Sequence, residues 1–185
     1  MQKNWYAVYT KPHCEKKVSL SLTKKNIENF CPLNFKRSRQ FFTNRPSGEP
    51  IFPSNVFVKS TDSEIIRLIK QINDAVSVLY WKGKPATIKE EEINAIKEFT
   101  HNHQEIRLEK MKSNPNPEEN DITYLMDGQI LLVKNRAMEL KLPSLGLTMV
   151  AKLPEGKPEE EGLWRNNMSF GNKELILPSQ MLKFP

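Results

Sequence analysis

Histidines, cysteines and clustered glutamates are the residues of this sequence with the clearest capacity for chemistry. His101 and His103 stand in the tripeptide HNH, a pattern that suggests metal or nuclease chemistry. The acidic and cysteine ligands that would complete such a site do not accompany them, so a solvated helix end is the better interpretation. The glutamates at residues 90–92 fit a helix N-terminus, where acidic side chains are favourable, better than a metal site.

Cys14 is a candidate nucleophile, because it follows His13 and has lysines nearby that would favour a reactive thiolate. A small residue at the start of a helix is the simpler interpretation. Cys14 and Cys31 are the two cysteines of the chain; they give no disulfide framework and are expected to stay reduced in a cytosolic setting. We therefore predict no catalytic residue, no metal site and no cofactor, and a thiol or metal enzyme is the least favoured class.

Positive charge is concentrated at the start of the chain. The formal net charge is +6, yet residues 1–45 hold ten Lys or Arg against two Glu, a net +8, while the rest sums to −2. This concentration is typical of a surface that faces a polyanion, although solvation alone explains it equally well. Lys17, Ser21 and Lys24 fall on one stripe of a predicted helix, which presents two ammonium groups in a line.

The elements that must position these residues follow the order β-α-β-β-α-β-α over residues 1–109. The clearest helix starts with a capping box of Thr61 and Glu64, and a second box of Thr87 and Glu90 precedes the last helix. The order predicts a split βαβ arrangement, which is a four-stranded antiparallel sheet with helices on one side. Some aromatic side chains of its strands would then point at the uncovered face.

The composition changes after residue 109. Residues 110–121, KMKSNPNPEEND, predict a flexible linker, and short β-like runs with turn signals predict a small barrel or sandwich over residues 122–185. The predicted fold class is α+β, with a sheet-and-helix domain followed by a small all-β, barrel-like domain. No run of about 18 apolar residues occurs and the first residues lack an apolar signal core, so we expect a cytoplasmic protein without membrane contact.

Four stretches of the chain carry a family resemblance. In order, WYAVYTKPHCEKKVSLSL, FCPLNFKR, PIFPSNVFV and VSVLYWKGKPATI resemble the N-terminal (NGN) domain of NusG-type transcription elongation factors, and RfaH-like and Bacteroidetes UpxY antiterminators look most similar. The resemblance spans residues 4–100 and is carried by the patterns P-x-F-P-x-x-x-F-V and WY-x-x-Y. It implies the sheet-and-helix fold, and a factor that binds the clamp helices of RNA polymerase and suppresses pausing or termination.

The resemblance also implies which residues bind. The apolar patch that contacts RNA polymerase would comprise Tyr9, Phe52, Asn55 and Phe57. The side chains that contact the non-template DNA strand would be Lys11, Lys17, Lys24 and Arg67. Family members usually end in a KOW barrel; residues 122–185 resemble a divergent form of it, and contact with the ribosome or Rho through this domain is an open possibility. Residue 54 is Ser, where the family pattern often has Gly.

Phe52 and Phe57 have opposite parity, so an undistorted strand would send them to opposite faces. Pro53 has no N–H to donate, which makes a local distortion of the strand reasonable. If the distortion shifts the phase of the strand, both rings should share exposed surface with Tyr9. We would then expect Phe52→Ala to weaken polymerase binding with little change in thermal stability.

Two functional hypotheses therefore stand beside each other. The first is a transcription elongation or antitermination factor that binds RNA polymerase and contacts DNA. The alternative is a free-standing nucleic-acid-binding regulatory module that does not need RNA polymerase, which the basic stripe alone would equally permit. Binding to purified polymerase distinguishes the two.

Overall fold

The structure is a computed structural model that describes residues 2–34, 48–111, 122–126, 129–134, 137–152 and 174–176. The chain forms two compact units, Met1–Ile96 and Lys97–Pro185. The predicted loop with Arg39 and Arg45, nearly all of the predicted linker and most of residues 154–185 lie outside the described residues.

The first unit mixes short strands with helices. Its elements, in chain order, are β1 (Asn4–Thr10), α1 (Glu15–Lys24), β2 (Asn29–Phe30), β3 (Leu33–Asn34), β4 (Glu49–Pro50), β5 (Asn55–Ser60), α2 (Asp62–Gln71), β6 (Ala75–Val78), β7 (Tyr80–Trp81), β8 (Lys84–Pro85), β9 (Thr87–Ile88) and α3 (Glu90–Asn102), which continues into the second unit. The main sheet has the strand order β2-β5-β1-β6, with β9 also paired to β1, and every pairing is antiparallel. The predicted α+β class with an antiparallel sheet is thereby confirmed, although β9 gives this sheet a fifth strand where four were predicted.

One face of the main sheet packs against α1 and α2. The buried cluster there comprises Tyr6, Val8, Val18, Leu22, Val56, Val58, Ile65, Ile72 and Val78. The Tyr6 hydroxyl donates a hydrogen bond to the carboxylate of Asp62 in the first turn of α2. Burial, and then this hydrogen bond, raise the pKa of Tyr6 to about 12. This phenol therefore stays protonated and joins the central strand to α2.

The capping boxes had different outcomes. Thr61 is the N-cap of α2, and its hydroxyl accepts a hydrogen bond from the Glu64 N–H at 3.3 Å, as predicted. The second box is wrong, because Thr87 belongs to β9 and α3 begins only at Glu90. The carbonyl of Lys89 accepts the N–H of Ile93, so the sheet pairing of Thr87 took precedence over its local capping preference.

The other face of the sheet is not as open as the sequence suggested. Trp5, Ala7 and Phe57 alternate onto this face and all three are buried. The ammonium of Lys59 lies 5.6 Å from the centre of the Trp5 ring and forms a 2.9 Å ion pair with Glu90 at the start of α3. The expectation of an uncovered face is therefore wrong for these positions, because side chains that do not belong to α1 or α2 cover them.

The second unit contains an antiparallel sheet. Its strands are β10 (Arg107–Lys110), β11 (Ile122–Met126), β12 (Gln129–Lys134), β13 (Ala137–Leu142), β14 (Leu147–Lys152) and β15 (Glu174–Ile176), in the spatial order β10-β14-β13-β12-β11-β15. Residues 107–109, which the sequence assigned to the first domain, belong to β10 and so take part in this second sheet. Within the described ranges, no helix is long and apolar enough to cross a membrane.

Candidate functional site

The four residues expected to contact RNA polymerase come together on one face of the main sheet. Tyr9 and Asn55 are direct cross-strand partners, and Phe57 follows Asn55 on the same face of β5. The Phe52 ring meets the Phe57 ring edge to face, with centroids 5.1 Å apart and planes at 77°. We call Tyr9, Phe52, Asn55 and Phe57 the aromatic patch.

A tight turn explains how Phe52 and Phe57 reach the same face. The N–H of Asn55 donates to the carbonyl of Phe52 at 3.2 Å, which closes a four-residue turn with Pro53 and Ser54 at its centre. Ser54 has a φ of 57°, and a positive φ after a proline is the feature of a type II turn. Phe52 thus precedes β5, so the alternation of side chains along that strand does not determine where its ring points. The predicted distortion at Pro53 is therefore a turn before the strand.

A buried carboxylate holds this turn in place. Glu15, in the first turn of α1, is buried and accepts a hydrogen bond from the Ser54 N–H at 2.6 Å. The Ser54 carbonyl accepts the N–H of Thr10 at 2.9 Å. Serine has no intrinsic preference for a positive φ, so these two hydrogen bonds stabilise a conformation that glycine would adopt at less cost.

The burial of the two phenylalanines contradicts the expectation that they share exposed surface with Tyr9. Phe52 is 3% exposed and Phe57 is 1% exposed, whereas Tyr9 is 37% exposed. The Phe30 ring also stacks on Phe57, with centroids 6.3 Å apart, so two rings pack against Phe57. Tyr9 offers the accessible aromatic surface of the patch, whereas the two phenylalanines are part of the core.

Two of the basic residues expected to contact DNA form ion pairs with the same acidic side chain. The Asp74 carboxylate bridges two ammonium groups, 3.2 Å from that of Lys11 and 2.7 Å from that of Lys17. The Asp74 carbonyl also accepts the N–H of Lys11 at 2.9 Å. The structure therefore brings Lys11 and Lys17 together around one negative charge.

These ion pairs change the ionisation of their partners. The hydrogen bonds from Lys17, and then from Lys11, hold the pKa of Asp74 below its ordinary value. The same hydrogen bond raises the pKa of Lys17. A carboxyl group with a lowered folded-state pKa stabilises the fold above its unfolded pKa and loses this contribution as the pH falls through the folded value. The cluster is therefore intact at neutral pH and breaks only in acid.

Lys24 and Arg67 lie apart from this cluster. Lys24 is exposed in the last turn of α1, two turns or about 10 Å along the helix from Lys17. Arg67 is exposed on α2. Both side chains are accessible to a phosphate, so the four cations form an extended basic surface and not one compact site.

The two histidines of the HNH tripeptide lie at and just beyond the end of α3. His101 is exposed in the last turn of α3, and the ring of His103 stacks on Phe99 with centroids 4.5 Å apart. Burial lowers the pKa of His103. Burial likewise raises the pKa of the Cys31 thiol to about 11, which disfavours its thiolate. In the described part of the chain, no group of three His, Cys, Asp or Glu residues could hold a metal ion.

Two acids with direct effects on the site were missed at the sequence level. Asp74 follows Asn73 directly after α2, and this pair of turn-forming residues tolerates the left-handed conformation that Asp74 adopts, with a φ of 70°. That signal indicates a turn but not its partners. Glu15 gave a helix-start signal only, because its hydrogen bond to Ser54 depends on the fold.

Taken together, the first unit combines an antiparallel sheet that packs against α1 and α2 with the aromatic patch and the basic surface. The family model described as "Transcription termination factor nusG" matches residues 3–97. The chain therefore belongs to the NusG family, which is a family of transcription factors. The further assignment to RfaH-like or UpxY proteins stays a prediction.

Two solved structures give weaker likenesses. NusG of Thermotoga maritima, from a structure on domain interaction in that protein, is 16% identical, with a TM-score of 0.48 and coverage of 83% of this chain and 94% of that one. A crystal structure of an MjSpt4:Spt5 complex gives 18% identity, a TM-score of 0.30 and coverage of 80% and 99%. No curated protein gives a match.

Proposed function

We propose that the chain is a transcription elongation or antitermination factor that docks on the clamp helices of RNA polymerase through the aromatic patch. The observation that supports this most is the placement of Tyr9, Phe52, Asn55 and Phe57 on one face of the sheet. The family resemblance implies these four positions, and nothing in their sequence spacing requires them to meet. Tyr9 is also exposed, and tyrosine is one of the residue types that most often anchor an interface.

The basic surface is the proposed contact with the non-template DNA strand. Lys11, Lys17, Lys24 and Arg67 are all exposed, and contacts of such side chains with phosphates give affinity without sequence information. Simultaneous binding to the clamp helices and to DNA would hold the clamp closed over the DNA and oppose pausing. The second unit is the proposed contact for the ribosome or Rho, and the cytoplasm is the proposed compartment.

Transcription by purified RNA polymerase tests this function directly. On a template with a known pause and terminator, the full chain is expected to bind the elongation complex and increase the fraction of full-length RNA. A chain that binds the DNA template but neither binds polymerase nor changes read-through would contradict the proposal. That result would favour the alternative of a nucleic-acid-binding module that acts without polymerase.

We expect Asp74→Asn to strengthen binding to a single-stranded oligonucleotide about threefold or more at low salt. The substitution frees Lys11 and Lys17 for phosphates, and each additional contact should steepen the dependence of log affinity on log salt by about 0.7. Fluorescence anisotropy between about 50 and 200 mM salt measures both quantities. The gain is small because ion pairs between solvent-exposed groups contribute little.

Glu91→Gln is the matched control for this prediction, since it removes the same charge from an exposed position in the first turn of α3. It should leave the salt dependence unchanged. Adding Lys17→Gln to Asp74→Asn should reduce the slope again by about one contact, which is about 0.7. Equal effects of Asp74→Asn and Glu91→Gln would mean that only the net charge matters and would remove Asp74 from the site.

A further inference from the structure

The hairpin of β7 and β8 presents two aromatic rings to solvent. Trp81 is 71% exposed and Tyr80 is 51% exposed. In the part of the chain that the structure describes, the two strands pair with one another and with no third strand, Tyr80 opposite Pro85 and Trp81 opposite Lys84. A tryptophan exposed to this degree loses the favourable burial of a large apolar surface. Neither the proposed polymerase contact nor the proposed DNA contact uses these two rings.

The backbone of the hairpin fixes the rings at a defined tip. Lys82 and Gly83 connect the strands with φ values of 49° and 78°, and two successive positive values are the mark of a type I′ hairpin turn. This turn matches the natural twist of the strands, so the tip is a regular structure. It holds Trp81 next to one lysine in sequence and opposite another across the hairpin.

The charge around the rings has one sign. Residues 75–89 contain Lys82, Lys84 and Lys89 and no acid. Among the described residues, neither Lys82 nor Lys84 makes an ion pair, and both are exposed. Exposed aromatic rings next to unneutralised lysines complement unstacked bases joined by phosphates. A duplex keeps its bases stacked internally and would offer the rings no such partner.

We propose that the β7–β8 hairpin is a binding site for single-stranded nucleic acid, in which a base stacks on Trp81 and the flanking phosphates contact Lys82 and Lys84. Stacking on an aromatic face tolerates any base, so the site has little sequence preference. This inference goes beyond the proposed function, because it requires no polymerase. Its failure would leave the proposed polymerase contact intact.

The test uses the full chain and a labelled thymidine oligonucleotide of about 12 nucleotides, which lies within the usual range of site sizes. Trp81→Ala is expected to weaken binding about tenfold, Trp81→Phe should retain most of the affinity, and Lys84→Gln should flatten the salt dependence by about one contact. Quenching of tryptophan fluorescence on binding, measured in a Trp164→Phe background, should be reduced by Trp81→Phe, since the remaining Trp5 is buried.

Val76→Ala is the control for loss of an exposed apolar side chain, because Val76 is 59% exposed on β6, outside the hairpin. Binding to a duplex of the same sequence is the control for general electrostatics, and Trp81→Ala should leave it unchanged. The proposal is overturned if Trp81→Ala binds the single strand as tightly as the unmodified chain, or if it weakens single-strand and duplex binding equally. A loss of the same size in Val76→Ala would also overturn it.

Discussion

Phe57→Ala is expected to lower the free energy of unfolding of the first unit by about 3–5 kcal/mol, which is the usual cost of removing a core phenylalanine. Phe57 is 1% exposed, the Phe30 ring stacks on it and the Phe52 ring meets it edge-on. The alanine would leave a cavity that these two rings cannot fill from fixed strand and turn positions. Hydrogen exchange of the amides in β1 and β5, measured in the full chain, reports the loss locally.

Leu20→Ala supplies the comparison, since Leu20 is an exposed apolar residue on α1 and such changes usually alter stability by less than about 0.5 kcal/mol. Phe52→Ala should resemble Phe57→Ala, contrary to the sequence-based expectation of little change in thermal stability, because Phe52 is almost as deeply buried. If both variants exchanged their β1 and β5 amides at the rate of the unmodified chain, the enclosed arrangement of the three rings would be disproved.

Tyr9→Ala is expected to weaken binding to the isolated clamp-helix fragment of RNA polymerase about 30-fold, which corresponds to roughly 2 kcal/mol. Tyr9 is the accessible ring of the aromatic patch, so its contribution should go to binding and not to folding. The unfolding free energy should change by about 1 kcal/mol or less. Titration calorimetry with the fragment, combined with a urea denaturation curve, separates the two effects.

Tyr80→Ala removes a tyrosine of greater exposure from the β7–β8 hairpin and should leave affinity for the clamp helices unchanged. Unaltered clamp binding by Tyr9→Ala would remove the aromatic patch from the polymerase contact. Equal losses for Tyr9→Ala and Tyr80→Ala would instead indicate that the fragment binds exposed rings without selectivity. The proposed docking requires a difference between them.

Local patterns were enough to predict much of the first unit. Thr61 and Glu64 are three residues apart and are followed by apolar positions at helical spacing, so the start of α2 follows from contacts within one helical turn. In the second unit, ITYLM and AMELKL coincide with β11 and β13. In each case the information lies in neighbouring residues and needs no knowledge of the rest of the fold.

The missed features depend on residues far apart in the chain. The burial of Phe52 results from a turn held by Glu15, and the neutralisation of Lys11 and Lys17 results from Asp74. The residues next to Phe52, Lys11 and Lys17 in the sequence do not indicate these partners. β10 was missed for the same reason, because Arg107–Lys110 becomes a strand by pairing with β14. A single sequence is therefore enough to name candidate residues. It does not determine which of their side chains are accessible or which of their charges are neutralised.

The strand order β2-β5-β1-β6 has a consequence for synthesis of the chain on the ribosome. β1 is the earliest strand along the sequence, yet it lies inside the sheet and first finds a long partner in Asn55–Ser60. At a synthesis rate of about 5–20 residues per second, β1 remains without this partner for roughly 3–10 s. During this interval WYAVY is an unpaired apolar segment of high β propensity. The nascent chain should therefore depend on chaperone binding until β5 emerges and then lose that dependence abruptly.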